Sequence, residues 1–344
     1  MNLKQNDSSG SPDRCGIILS AGDGMRMREF VYRRRGDHLP KQYINFTGKR
    51  SMLEHTFHRV EKLIPAKRLL VVVAKEHLKF NEVRRQIASR PGECVVIQPE
   101  NKDTAPGLLL PLLYVYKQHP EATVAVFPSD HFILEEDLFM QHVDRAFRVV
   151  ESGGSRIVLL GMEPHEPDRE YGYIVPGETI DDARLDGART VEMFVEKPAA
   201  QLAKKIIRSG ALWNTLVVVF NCKTFMNVIQ QTTPELHRSF QPILAAIGTA
   251  DEQRVIEQVY HNLASLNFSK GVLEVLPFQH RRALVVLPVP GVTWTDWGST
   301  DRLSSTLRQL GESHYAPPGR VLSEGRALGV PAQKIFQAPL KGIQ

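Results

Sequence analysis

Short runs of β-branched and other apolar residues alternate with longer helical patterns through the first half of the chain, and this alternation constrains the fold more than any other feature. Four such runs predict buried strands, at residues 16–19, 69–73, 95–97 and 124–127. Helical spacing predicts the helices between and after them, near residues 53–64, 77–89, 108–113 and 137–150. Strands that alternate with helices generally pair in parallel, so the pattern predicts an α/β fold with a doubly wound, mostly parallel sheet.

The second half of the sequence is less regular and predicts a mixed set of elements. Its predicted strands lie at residues 157–160, 173–175, 191–195, 216–220 and 285–288, and its predicted helices at residues 199–208, 225–231, 254–263 and 299–309. The chain has 344 residues and no clean linker, which suits one large domain. We predict that domain over residues 14–310, with halves at 14–150 and 151–310, a disordered N-terminal lead at 1–13 and an irregular C-terminal tail at 311–344.

Charge and composition argue against several broad classes of protein. The formal net charge of +5 is modest, and the one dense basic run, Arg33–Arg35, lacks the interleaved aromatic residues of a single-strand nucleic-acid binder, apart from Tyr32. A small polyanionic substrate accounts for the same charge. No stretch approaches the roughly 20 apolar residues of a membrane-spanning helix. We therefore expect small-molecule substrates, no nucleic acid and no membrane, with a homo-oligomer left open.

Cysteine usage and the N-terminus bear on the compartment. Cys15, Cys94 and Cys222 are far apart in sequence, which disfavours a disulfide framework or a cysteine-based zinc site. The segment 1–13 is polar and has no apolar stretch of the kind that a signal peptide carries. Both observations favour a reducing, cytoplasmic location.

Polar side chains follow three of the predicted strands at the point where each strand ends. Ser20–Arg26 follows the first strand, Gln98 the third and Pro128–His131 the fourth. Ligands of open parallel sheets bind outside the carboxyl ends of the strands, so these residues predict a nucleotide site. The glycines of Gly22-x-Gly24 let the backbone approach a phosphate, although an ordinary tight turn would use the same glycines.

Acidic and basic residues elsewhere add candidates for metal and phosphate chemistry. Asp130 and Asp296 could share a magnesium ion, which prefers few protein ligands together with phosphate oxygens. The alternative for Asp130 is capping of a helix, and the alternative for Asp296 is a place in a turn. In the pair Glu196–Lys197, the carboxylate could accept a hydrogen bond from a hydroxyl group and the ammonium could bind a phosphate. The alternative is a charge pair exposed to solvent.

Taken together, these segments resemble the sugar-1-phosphate nucleotidyltransferase family, and most closely its mannose-1-phosphate guanylyltransferases. The matching segments run in family order: Leu19–Arg26, Pro40–Gln42, Gln98–Pro106, Pro128–His131, Tyr171–Ile174, Glu196–Pro198, Trp213–Asn214 and Trp294–Gly298. The sequence departs from the family pattern at a few positions, with Ala21 in place of a glycine, Met25 in place of a threonine, Asp103 in place of an asparagine, and Thr215–Leu216 in place of Ser-Gly.

The resemblance implies a Rossmann-like nucleotidyltransferase sheet with a mixed sugar-binding half, and a role for each matching residue. It implies nucleotide binding by Ala21, Gly22, Gly24, Arg26, Lys41, Gln98, Asp103 and Thr104. It implies sugar-phosphate binding by Gly172, Glu196, Lys197 and Asn214, and Mg²⁺ binding by Asp130 and Asp296. The implied catalytic residues are Arg26 and Lys41, which would hold the β- and γ-phosphates, and Lys197, which would neutralise the sugar phosphate.

The implied activity is transfer of a nucleotidyl group from GTP to mannose 1-phosphate, which forms GDP-mannose and pyrophosphate. The alternatives are another pair, UTP or dTTP with glucose 1-phosphate, a catalytically silent nucleotide-binding homologue, and a glycosyltransferase. The last normally carries an Asp-x-Asp motif, which Ser129–Asp130 does not form. The segment from Arg26 to Pro40 is longer than in the family, and we predict a mobile loop there that folds over the phosphates. A solvated surface loop is the equally open alternative.

Overall fold

The computed structural model describes residues 13–311 apart from residues 181, 183, 184, 186 and 281. The predicted disordered lead at 1–13 and the predicted irregular tail at 311–344 fall, except for one residue each, outside the described residues. The chain forms two compact units, Met1–Leu303 and Ser304–Gln344. The first unit contains every predicted site residue. Among the described residues, no helix is both long and apolar enough to span a membrane.

Strands form at all nine predicted apolar runs, and two short strands that were not predicted form at Phe132–Ile133 and Trp294–Thr295. They are β1 (Arg14–Ser20), β2 (Leu69–Ala74), β3 (Val95–Gln98), β4 (Thr123–Pro128), β5 (Phe132–Ile133), β6 (Ile157–Met162), β7 (Gly172–Thr179), β8 (Arg189–Glu196), β9 (Leu212–Asn221), β10 (Leu284–Pro288) and β11 (Trp294–Thr295). Every residue of β2, β4 and β6 is buried, as expected for strands that are covered on both faces.

Helices connect the strands. They are α1 (Arg28–Arg35), α2 (Met52–Val60), α3 (Asn81–Ile87), α4 (Thr104–Gln118), α5 (Glu136–Glu151), α6 (Ala200–Arg208), α7 (Cys222–Thr232), α8 (Pro234–Ala246), α9 (Glu252–Asn262), α10 (Leu276–Gln279) and α11 (Thr300–Gln309). Short 3₁₀ turns cover Met25–Met27 and Lys41–Tyr43. A capping box begins α2, where the Ser51 side chain accepts a hydrogen bond from the Glu54 backbone N–H and the Glu54 side chain reaches back to the Ser51 N–H.

Nine strands form one sheet in the order β3-β2-β1-β4-β9-β6-β10-β8-β7, and β9 also pairs with β7. The strands of the first half, β1 to β4, are parallel to their neighbours within that half. The second half is mixed, because β9 runs antiparallel to both β4 and β6 while β10 runs parallel to β6. The predicted α/β fold, with a parallel first half and a mixed second half, is confirmed.

One local prediction was wrong, and the helix α8 was missed. The segment predicted as a lengthened loop forms the helix α1, which is followed by Gly36 with a φ of 77°; its movement over the phosphates stays a prediction. Arg33 pairs with Glu29 one turn earlier at 2.8 Å, and Arg35 pairs with Asp37 at 3.0 Å and with Glu82 at 2.6 Å. The arginine run is therefore held on a helix by carboxylates that the prediction did not take into account.

The helix α8 was not predicted, because its sequence contains Pro234 and Pro242. Pro234 opens the helix, where a missing backbone N–H costs nothing, and the buried side chains of Leu236, Phe240 and Ile243 hold the rest against the core.

Candidate active site at the carboxyl edge of the sheet

The carboxyl ends of β1, β3 and β4 meet at one edge of the sheet, as predicted. Two cavities of about 410 Å³ each open there, and both are lined by Leu19, Gly22, Asp103 and Thr104. The first cavity is further lined by Ala21, Val72, Gln98, Asn101, Gly107 and Ser265. The second extends towards β7 and β9 and includes Gly24, Arg26, Asp130, Gly172, Glu196, Lys197, Asn214 and Asp296 in its lining. Every predicted site residue except Lys41 thus lines one of the two cavities.

The glycine-rich loop after β1 is fixed by two side chains to which the sequence analysis gave no role. Gln42 donates hydrogen bonds from its side-chain amide to the carbonyls of Ser20, at 3.0 Å, and Gly22, at 2.8 Å. The hydroxyl of Tyr43 donates to the same Ser20 carbonyl at 2.8 Å. Gly24 has a φ of 59°, a left-handed conformation that a residue with a side chain would adopt only under strain.

Gln98 lines the first cavity and carries a buried acceptor. Its side chain is 1% exposed, and its amide nitrogen donates to the Glu100 carbonyl at 2.7 Å. The other end of the amide, Oε1, is a buried acceptor with no hydrogen-bond partner among the described residues. A buried acceptor without a partner is costly, so this atom is suited to a donor on a ligand.

Asp103 caps the N-terminus of α4, and one of its two carboxylate oxygens is engaged within the protein. Its Oδ1 accepts hydrogen bonds from the backbone N–H of Thr104 at 2.6 Å and from the side chain of Asn267 at 3.2 Å. The backbone φ of Asp103 is 69°, a strained value for a residue other than glycine. Asn267, which also lines the second cavity, is a site residue that the sequence analysis missed.

Lys41 lies between the two acidic segments rather than in either cavity. The Nζ atom is 3.0 Å from Asp130 Oδ2, and it donates to the backbone carbonyls of Asp296 at 2.5 Å and Trp297 at 3.2 Å. All three ammonium donors are therefore engaged. This geometry favours a role in holding the Asp130 and Asp296 segments together, whereas the predicted contact with the β- and γ-phosphates would require the side chain to move.

Asp296 carries the densest set of contacts in the site. Its Oδ1 accepts from Arg302, from the Tyr171 hydroxyl at 3.1 Å and from the Gly298 backbone N–H at 2.9 Å, while Oδ2 is 3.3 Å from Arg26. Burial tends to raise the pKa of Asp296, but the charges of Lys41 and Arg302 outweigh it, so the pKa lies below its ordinary value.

His131 is held neutral beside these carboxylates. Burial lowers its pKa to about 4, against the opposing influence of Asp130 and Asp296. The indole N–H of Trp294 donates to His131 Nδ1 at 3.2 Å, so the proton of the neutral ring belongs on Nε2. That Nε2 lies 3.8 Å from Asp130 Oδ1.

The residues present fit a divalent cation. Asp130 and Asp296 line the same cavity, and each keeps one oxygen, Oδ1 of Asp130 and Oδ2 of Asp296, with only a distant or exposed partner. No group of three or more acidic, histidine or cysteine side chains among the described residues could hold a metal alone. Two carboxylates, with water or substrate oxygens completing the coordination, match the preference of magnesium.

The sugar-facing residues predicted from sequence gather around the start of β7. Gly172 lies against Glu196, since a Cβ at this position would be 2.7 Å from the Glu196 carboxylate. Burial raises the pKa of Glu196, and the nearby charge of Lys197 opposes that shift. Lys197 is half exposed, with its Nζ 3.7 Å from Glu196, and its backbone has a φ of 51°. The Oδ1 of Asn214 accepts from the Leu216 backbone N–H at 3.1 Å, which leaves the amide N–H₂ of Asn214 to face a ligand.

The sequence from residue 15 to residue 313 matches the nucleotidyl transferase family. The chain belongs to that family. The predicted resemblance is therefore confirmed, and the matched region contains all of the predicted site residues.

Relatives within the nucleotidyl transferase family are distant in sequence. The Xanthan biosynthesis protein XanB of Xanthomonas campestris is 28% identical over 302 residues, which cover 87% of this chain and 60% of that protein. A mannose-1-phosphate guanylyltransferase of Escherichia coli is 23% identical over 300 residues, covering 86% of this chain and 61% of that protein. The chain thus spans about three fifths of the length of these relatives.

Solved structures of relatives share the fold. A structure from Thermus thermophilus, described as a mannose-1-phosphate geranyltransferase, is 26% identical with a TM-score of 0.70, covering 85% of this chain and 79% of that one. A mannose-6-phosphate isomerase from Helicobacter pylori, at 19% identity and a TM-score of 0.62, has the same fold and covers 82% of this chain and 99% of that one.

Proposed function

We propose that the protein transfers a guanylyl group from GTP to mannose 1-phosphate, forming GDP-mannose and releasing pyrophosphate. The observation that carries this proposal is the second cavity, whose lining combines phosphate-loop glycines, Arg26, two carboxylates and the cluster of Glu196, Lys197 and Asn214. The similarity to the E. coli mannose-1-phosphate guanylyltransferase supports the choice of substrates.

In the proposed reaction, an oxygen of the sugar phosphate attacks the α-phosphorus of GTP in line, and the bond to pyrophosphate breaks. Such a transfer depends on positioning and charge neutralisation more than on covalent help from the protein. Arg26 lines the cavity and is 46% exposed, and it would exchange its 2.5 Å ion pair with Glu170 for the triphosphate, while Lys197 would bind the sugar phosphate. Asp130 and Asp296 would hold magnesium, which supplies charge stabilisation on the phosphates when bound.

The base preference rests on the first cavity. Guanine presents an N1–H and an amino group as donors, so a guanine pocket needs acceptors. The unpartnered Oε1 of Gln98 is such an acceptor, and the carbonyls and Asp103 of the following segment offer others. A site that pairs with the polar edge of a base can reject an analogue by orders of magnitude, whereas shape alone discriminates far less.

The test is a pyrophosphate-release assay across a matrix of nucleoside triphosphates and sugar 1-phosphates. We expect GTP to be preferred over UTP by at least about 100-fold in kcat/KM, roughly 2.7 kcal/mol, with mannose 1-phosphate as the best acceptor. Comparable turnover with UTP or dTTP, or a preference for glucose 1-phosphate, would contradict the substrate assignment but leave the reaction type intact. No pyrophosphate release with any pair would contradict the reaction itself.

Variants of two glutamines test whether the first cavity sets the preference for the guanine base. Gln98→Leu should reduce the preference for GTP over ATP by about 10-fold, because it removes the acceptor for the guanine N1–H at similar volume. Gln118→Leu, at an exposed position of α4, is the matched control and should leave the ratio unchanged. An unchanged ratio in Gln98→Leu would exclude Gln98 from base recognition.

A further inference from the structure

Arg302 lies in the first turn of α11 and belongs to none of the matched segments. Its side chain is 17% exposed, and its guanidinium stacks over the Tyr171 ring with 4.5 Å between the guanidinium carbon and the ring centroid. Nη1 is 2.5 Å from Asp296 Oδ1, while Nη2 pairs with Glu170 and lies 3.7 Å from Asp168. A cation with little access to solvent is thus directed at the side chain of Asp296.

The two oxygens of Asp296 are held very differently. Oδ1 accepts from three donors, Arg302, the Tyr171 hydroxyl and the Gly298 backbone N–H. Among the described residues Oδ2 has one long contact, at 3.3 Å, and its partner Arg26 is 46% exposed. The arrangement immobilises one oxygen of the carboxylate and leaves the other available.

Arg302 is placed behind Asp296 rather than beside a substrate. Asp296 and Arg26 line the second cavity, whereas Arg302 is not among the described residues that line it. Its guanidinium is shared among Asp296, Glu170 and Asp168. Arg26 also pairs with Glu170, at 2.5 Å, but unlike Arg302 it lines the cavity, as a guanidinium that served a phosphate directly would.

We infer that Arg302 is a positioning residue that holds Oδ1 of Asp296, so that Oδ2 is presented to a divalent cation in the cavity. The inference rests on the metal-binding role of Asp296 in the proposed function. The planar guanidinium binds Asp296 and Glu170 at the same time and stacks on Tyr171, which fixes the carboxylate in one orientation. Groups that orient a metal ligand commonly change metal affinity by 10- to 100-fold.

The test is a Mn²⁺ titration of the full chain, followed by the electron paramagnetic resonance signal of the free ion. The wild-type protein should bind Mn²⁺, and Asp296→Asn should abolish that binding. Arg302→Met should weaken it by about 10-fold, because the carboxylate loses its fixed orientation. Arg302→Lys should also bind Mn²⁺ more weakly than wild type, since a single ammonium cannot contact Asp296 and Glu170 with two separate N–H groups as the guanidinium does. Arg254→Met, at an exposed cation of α9, is the control for loss of charge and should bind as wild type does.

The outcomes separate this inference from the proposal on which it rests. Wild-type affinity in Asp296→Asn, or no Mn²⁺ binding by the wild type, would remove the metal site and Arg302's role with it. Loss of binding in Asp296→Asn together with wild-type affinity in Arg302→Met would overturn the role of Arg302 alone. Circular dichroism should first establish that Arg302→Met is folded; if it is not, Arg302→Lys decides, and wild-type affinity in that variant would overturn the inference.

Discussion

At the scale of single residues, backbone strain is concentrated at the site. Five described residues other than glycine have a positive φ; Asp103, Lys197 and Leu216 line the second cavity, and Trp297 directly follows Asp296. Each of these conformations costs of order 1 kcal/mol or more and persists only where the surroundings impose it. In Leu216 the conformation turns the backbone N–H back onto Asn214 Oδ1, which orients the amide of that residue in the second cavity.

Glycine and alanine variants of Leu216 measure this strain. Both variants lose the leucine side chain, but only glycine adopts a φ of 55° without a penalty. We expect Leu216→Gly to exceed Leu216→Ala in free energy of unfolding by about 1 kcal/mol, as measured by urea denaturation. Leu202, which is partly exposed on the helix α6, supplies the control pair. There the alanine variant should be more stable than the glycine variant by about 1 kcal/mol. A less stable Leu216→Gly than Leu216→Ala would show that the site carries no strain at this residue.

At the scale of elements, the helices α2 and α5 are joined by a buried ion pair. The guanidinium of Arg59, on α2, is 3% exposed and 3.1 Å from Glu136 on α5. Burial tends to raise the pKa of Glu136, but its hydrogen bond with His55 and the charges of Arg59, His55 and Lys62 prevail, so the pKa lies below its ordinary value. The pair therefore stabilises the folded protein only while Glu136 is ionised.

Glu136→Gln should lower the free energy of unfolding by about 3 kcal/mol at neutral pH, because it leaves Arg59 buried without its counter-charge. A pKa that is lower in the folded state gives stability that is fully present above the unfolded value, near the ordinary 4.5, and is lost as the pH falls through the folded value. The difference between wild type and variant in urea denaturation should therefore shrink on acidification over that range. Glu235→Gln, at an exposed position of α8, should differ from wild type by less than about 0.5 kcal/mol at every pH. If the difference in free energy of unfolding between wild type and Glu136→Gln does not change with pH, the stabilising ion pair with Arg59 is contradicted.

At the scale of the whole molecule, the candidate site lies where the parallel half of the sheet meets the mixed half. The strand β9 runs between β4 and β6 and carries Asn214 to the same cavity that Asp130 reaches from the end of β4. Tyr171, at the start of the sugar-facing segment, bonds to Asp296 near the end of the unit. The two halves thus each contribute to one cavity, which suits a reaction between two phosphorylated substrates.

A variant of Lys197 tests whether the halves serve different substrates. Lys197→Ala should raise the KM for mannose 1-phosphate by about 10-fold, because a charge-assisted hydrogen bond contributes roughly 1.5 kcal/mol or more. The KM for GTP should change by less than about 2-fold, a difference that steady-state kinetics would resolve. Lys204→Ala, at an exposed lysine of α6, should leave both constants unaltered. Equal increases in the two KM values would argue against this division between the halves.

The sequence alone determined the fold class and predicted most of the candidate site, because both rest on local patterns. Runs of buried apolar residues predict strands wherever they occur, and the carboxyl ends of parallel strands must share an edge. Residues that directly follow those strands, such as Gln98 and Asp130, could therefore be assigned to one edge of the sheet from their positions in the chain. The family motifs extended the assignment to Glu196, Lys197 and Asn214.

Only the tertiary structure decided how the charged groups are paired, because those partners are distant in sequence. Lys41 lies between Asp130 and the Asp296 segment, and Arg302 holds Asp296 together with Glu170, contacts that no local spacing encodes. The same cause explains the error at Arg33–Arg35, since the helix α1 is fixed in part by Glu82, which lies 47 positions after Arg35. Local patterns specify which residues reach the edge of the sheet, but Coulomb attraction acts through space, so the packed fold decides which charge each one meets.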